Sequence, residues 1–88
     1  MQILIVCRPV PDIDQSEFRR IVPAESAALR ELKERGVLAN VWTPGRPGAV
    51  LMLEAGTEEE GAAIAAALQL AAAGLIATEV IPLYLMNL

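Results

Sequence analysis

The 88-residue chain contains no histidine. That removes the side chain that most often acts as a general base near neutral pH and most often binds metals. Cys7 is the only cysteine, so there is no internal disulfide. Without histidine beside it, no zinc ligand set can be assembled. No metal and no cofactor is expected. Aromatic residues are almost missing: Phe18, Trp42 and Tyr84 are all there are. Basic residues number 7 against 11 acidic ones, for a net charge of −4. A nucleic-acid partner would need a basic surface interleaved with aromatics, and none is present. Long apolar runs are lacking too. The start, MQILIVCRPVP, has no basic segment, and its apolar run is too short for a signal peptide. Residues Ala62 to Ala77 are mostly alanine and include Gln69, too short and too weakly apolar to cross a bilayer. A soluble, cytoplasmic protein with no membrane partner is expected. Neither a phosphate-binding loop, a GxGxxG turn nor a catalytic triad is found.

What is present is apolar surface. Hydrophobic residues make up 55% of the chain, within a single domain of residues 1–88. A domain this small buries a limited fraction of its surface. The excess predicts self-association.

The pattern reads β-α-β-β-α-β. Strand 1 is Gln2 to Arg8, with a continuous apolar run from Ile3 to Cys7, as for a strand buried on both faces. Cys7 reads as a small buried hydrophobe within it. A polar loop, Asp12 to Gln15, follows. A helix starts near Ser16, with Asp14 as a candidate N-cap. Pro23 is expected to divide it into a short helix to Val22 and a main helix from Pro23 to Arg35, which Gly36 ends. Its inward stripe is Phe18, Val22, Glu25, Leu29 and Leu32. Strand 2, Val37 to Thr43, alternates Leu38, Asn40 and Trp42 on one side with Val37, Ala39 and Val41 on the other. The loop Thr43-Pro44-Gly45-Arg46-Pro47-Gly48 makes a hairpin to strand 3, Ala49 to Ala55. Thr57 with Glu60 reads as a capping box for a second helix reaching about Ala73. Strand 4 is Ile76 to Leu85, and Pro82 within it argues for a sheet edge or a bulge.

Two β-α-β halves joined by a hairpin match a ferredoxin-like α+β sandwich with antiparallel sheet order 4-1-3-2. Two helices cover one face of such a sheet. The other face, also apolar, needs a partner, and a second copy of the chain is the simplest one.

Among groups able to do chemistry, Glu25 stands out because it lies on an apolar helix stripe. A desolvated carboxylate is suited to general-base work. It could equally sit at the helix edge, exposed or paired with an arginine. Arg8 and Arg46 could each hold a carboxylate in a bidentate fork, although Arg46 reads better as a solvated loop charge. Trp42 offers a flat apolar wall and Tyr84 a hydrogen bond, and both residues also suit plain packing.

The run from Pro23 to Ala55, PAESAALRELKERGVLANVWTPGRPGAVLMLEA, resembles muconolactone delta-isomerase and its relatives. Leu68-Gln69-Leu70 and Thr78-Glu79-Val80-Ile81-Pro82-Leu83 extend the similarity to most of the chain. Gln69 stands where that family's leucine-proline-leucine motif has proline. The resemblance implies a dimeric α+β barrel of ferredoxin-like subunits, often in larger rings, with active sites at subunit interfaces. It also implies a cofactor-free proton shift on a small lactone. On the matching positions, Glu25 falls on an acidic helix residue, Gly36 on the glycine ending that helix, and Trp42 on a strand-2 tryptophan. The expected activity is therefore an isomerase acting on a small lactone or related acid. Glu25 would be its base, and Arg8, Trp42 and Tyr84 would bind substrate. Two other readings stand beside it: a non-catalytic dimeric small-molecule-binding or assembly protein, and a cofactor-independent monooxygenase of the antibiotic-biosynthesis type.

Overall fold

A computed structural model describes every residue from Met1 to Leu88. Strand β1 spans Gln2–Pro9, β2 Leu38–Trp42, β3 Ala49–Glu54 and β4 Ile76–Leu83. They form one antiparallel sheet in the order β2-β3-β1-β4, which is the expected 4-1-3-2 order read from the other edge. The two central strands are the two with continuous apolar sequences. Pro82 lies on β4, an edge strand paired only with β1, where a missing ladder donor is tolerated.

Helix α1 runs unbroken from Gln15 to Glu34. The expected division at Pro23 does not occur. Pro23 sits on the exposed side of the helix, so the Arg19 carbonyl that lacks its usual partner can turn to water. Packing on both flanks outweighs the local penalty. Ile21 before it and Glu25 after it are both buried. Asp14 caps the start, its Oδ1 accepting from the backbone N–H groups of Ser16 and Glu17 at 3.0 and 3.1 Å. The end is a Schellman turn. Gly36 adopts φ +75°, Val37 N–H donates to the Leu32 carbonyl and Gly36 N–H to that of Lys33.

The second helical region also departs from expectation. Instead of one helix to Ala73, there is α2 from Glu58 to Ala67 and a separate single turn, α3, from Gln69 to Ala72. Leu68 between them is extended, with ψ 141°. Alanine is the best helix former, so local propensity does not cause the break. The break lets both Leu68 and Leu70 turn into the core. Thr57 caps α2, its Oγ1 accepting from Glu60 N–H at 3.1 Å, while the Glu60 carboxylate reaches back to Gly56 N–H at 2.9 Å.

The core lies between the helices and one sheet face. Ile3, Ile5, Leu51 and Leu53 are almost fully buried there, joined by Cys7, Leu38, Ala65 and Leu68. A bulge between Leu38 and Asn40 corrects the expected alternation of β2. Leu38 pairs with Leu53 and enters the core. Asn40 and Trp42 pair with Met52 and Val50 on the opposite face. One extra residue inverts the side-chain phase.

That opposite face has no helix on it. In register across it lie Trp42, Val50 and Val6, and in the next row Met52, Leu4 and Ile81. Trp42 is 48% exposed. Beyond β4, the tail residues Tyr84, Leu85, Met86 and Leu88 are also exposed. No helix of the chain is long and apolar enough to cross a membrane.

Candidate functional site

Glu25 is the only buried charged residue, 7% exposed in the middle of α1. Burying a carboxylate in an apolar layer is costly unless donors meet it. Here the donors come from the break in the second helical region. Gln69 N–H donates to Glu25 Oε1 at 3.0 Å and Leu70 N–H to Oε2 at 3.4 Å. These are the amides of the first turn of α3, which have no carbonyl partner within their own helix. The carboxylate and the helix break therefore require each other. Without Glu25 the α3 amides lack an acceptor, and without the break the amides would not face Glu25.

On its other side Glu25 lines a cavity of about 560 Å³, within the usual range of small-molecule sites. The cavity lies at one end of the sandwich, between the helices and the covered sheet face. Its floor comes from Cys7 of β1 and Leu51 of β3, its helical wall from Phe18 and Leu29, and its far side from Leu70 and Ile76. Asp12, at φ +55°, turns the chain out of β1 and brings Ile13 and Gln15 to the rim. Aspartate is among the few non-glycine residues that accept this conformation. The hairpin loop contributes Pro47 and Gly48. A Cβ on Gly48 would stand 2.2 Å from the Cys7 carbonyl oxygen, so only glycine lets the loop close this tightly onto β1.

Beside Glu25, the only polar side chains on the lining are the Gln15 amide and the Cys7 thiol. Burial, and then the negative charge of Glu25, push the Cys7 thiol up to about 11. It is held as a neutral thiol at ordinary pH. An inert thiol of this kind packs rather than reacts.

Arg8, Trp42 and Tyr84 do not join Glu25 on this lining. Arg8 points to the uncovered sheet face, where its Nη1 donates to Glu79 Oε1 at 3.1 Å. Alternation along β1 places it there, since Cys7 faces the cavity and the next residue must face away. Trp42 lies on the same uncovered face as Arg8 because of the β2 bulge. Tyr84 stands on the exposed tail, 74% accessible. Sequence reasoning assigned no site role to Phe18, Ile13, Leu70 or Pro47. Phe18 was legible as an inward residue. Ile13 carries a weaker signal, a lone apolar residue in an otherwise polar loop.

No family model and no curated protein sequence matches the chain. Solved structures do. The 5-chloro-2-hydroxyhydroquinone dehydrochlorinase of Burkholderia phenoliruptrix, in complex with 2,5-dihydroxybenzoquinone, is similar with a TM-score of 0.75 and 22% identity, over 96% of this chain and 94% of that one. Muconolactone isomerase is similar with a TM-score of 0.75 and 18% identity, over 94% of this chain and 88% of that one. The chain is built, over nearly its whole length, on the fold shared by muconolactone isomerase and this dehydrochlorinase.

Proposed function

We propose that this chain binds a small ring compound in the Glu25 cavity and shifts a proton on it, with Glu25 as the base and no cofactor. The observation that carries this reading is a buried carboxylate, fixed by two backbone donors, opening onto an otherwise apolar cavity. A carboxylate held in one position and buried at a cavity wall is placed to act as a general base on a ligand that brings a proton within hydrogen-bond reach. The fold supports it further, since two solved structures of the same fold are named for reactions on small cyclic molecules, a lactone isomerisation and a dehydrochlorination.

The functional unit in this reading is a homodimer. The uncovered sheet face, with Trp42, Val50, Val6, Met52, Leu4 and Ile81 in adjoining rows, packs against its copy. Sedimentation at micromolar concentration should give a dimer or a multiple of it, and a monodisperse monomer would sink this part of the reading.

The catalytic test is solvent deuterium exchange into a panel of small lactones, enones and hydroxyquinones, followed by NMR. Wild type should accelerate exchange for at least one compound. Glu25→Gln should lose at least a hundredfold of that rate with its oligomeric state unchanged. One observation favours a second reading, a binding protein without chemistry: Glu25 already serves the fold by capping α3. In that case a compound would bind at the cavity with no exchange in either variant.

A further inference from the structure

We infer that the cavity selects neutral, hydroxyl-bearing ring compounds and rejects small organic acids. The inference rests on the reading of this cavity as the ligand site, and it narrows the substrate class.

Charge carries the argument. None of the chain's 7 lysines and arginines lines the cavity. Arg8, the one strand arginine near it in sequence, is turned to the opposite sheet face and engaged by Glu79. The only acidic or basic side chain of the Asp, Glu, Lys or Arg kind on the lining is Glu25. A ligand carboxylate would leave water for an apolar enclosure and find a like charge with no cation to offset it. Recognition of carboxylates calls for the guanidinium fork that this site lacks.

The hydrogen-bonding inventory points the same way. A carboxylate has about four acceptor positions. Gln69 and Leu70 amides occupy one on each Glu25 oxygen. The remaining positions can accept from a ligand, so the ligand must donate. A phenolic or enolic O–H does so and leaves the rest of the ring to the apolar walls, Phe18, Leu29, Leu51 and Ile76 among them. An ammonium ligand would also donate, but it brings three N–H groups to a wall with room for one or two. A cavity of roughly 150 Å³ holds a benzene ring. At about 560 Å³ this one admits a substituted single ring with space left over.

The test is an amide NMR titration of the whole chain at pH 7 with three probes on one scaffold size: resorcinol, the same ring carrying a carboxylate, and benzylamine. Resorcinol is expected to shift the amides of Ile13, Phe18 and Leu70 with a dissociation constant of about a millimolar, ordinary for a fragment. The ring carboxylate is expected to bind at least tenfold more weakly, and that gap should close in Glu25→Gln, in which the like charge is gone. Equal or tighter binding of the carboxylate overturns the inference. So does tighter binding of benzylamine, shifts that map elsewhere, or no binding by any probe. The catalytic reading fails separately, by the absence of deuterium exchange. A charge preference without exchange would leave this inference standing, and exchange on an acid that binds tightly would leave only the catalytic reading.

Discussion

Replacing Gln69 by proline isolates the bond that joins the candidate base to the fold. Gln69 is the first residue of α3, where proline is welcome in a helix. Leu68 before it is already extended, the conformation that a following proline requires. The Gln69 side chain is exposed, so no packing is lost. What disappears is a single donor, the N–H at 3.0 Å from Glu25 Oε1. A hydrogen bond to a charged group contributes about 1.5–3 kcal/mol. Proline returns about 0.4–1 kcal/mol by restricting the unfolded chain. The Leu70 bond, at 3.4 Å, stays but is too long to compensate. Gln69→Pro should therefore destabilise by about 0.5–2.5 kcal/mol. Gln69→Ala, which keeps the N–H, should stay within about 0.5 kcal/mol of wild type. Urea unfolding at one fixed protein concentration measures both, since association would otherwise shift the apparent stability. If Gln69→Pro matches or exceeds Gln69→Ala in stability, the Gln69–Glu25 bond is worth no more than the roughly 0.4–1 kcal/mol that proline returns, too little to explain why α2 and α3 separate.

Gly61→Ala should destabilise by about 1 kcal/mol although alanine is the better helix former, because its Cβ would lie 2.4 Å from Cδ1 of the fully buried Ile3. Ile3→Val removes that methyl, so in a double-mutant cycle the pair should couple by at least about 1 kcal/mol, and simple additivity would show that the contact does not matter. Burial, with the neighbouring Glu25 carboxylate, pushes the Cys7 thiol of the folded chain up to about 11 from an ordinary 9.0. The unfolded chain thus loses its proton first as pH rises, and the stability held by the neutral thiol, of order 2 kcal/mol, is full below pH 9 and lost between about 9 and 11. Denaturation of wild type and Cys7→Ala across that window should show a steeper decline in wild type, and parallel curves would remove Cys7 as the cause.

Which parts of this protein are legible in its sequence follows from which interactions are local. Continuous apolar runs mark β1 and β3 as central strands, because a central strand's side chains lie in rows with apolar neighbours on both sides, as Leu4 does between Met52 and Ile81. Asp14, Gly36 and Thr57 mark helix ends, because capping is settled within four or five residues. The two β-α-β halves then leave few ways to arrange the sheet. Glu25 stood out as a carboxylate on an apolar stripe for the same local reason. Tertiary structure alone decided the rest. Pro23 stays within α1 because Ile21 and Glu25 are held by distant segments, and no local propensity contains that information. The helix after Thr57 breaks at Leu68 because Glu25, 44 positions from Gln69 in the chain, accepts the amides that the break sets free. The β2 bulge moves Leu38 into the core and leaves Trp42 on the uncovered face, a one-residue shift that alternation cannot anticipate. Arg8 faces away from Glu25 for the plainest reason of all: neighbouring residues of a strand point to opposite sides, and Cys7 took the side of the cavity.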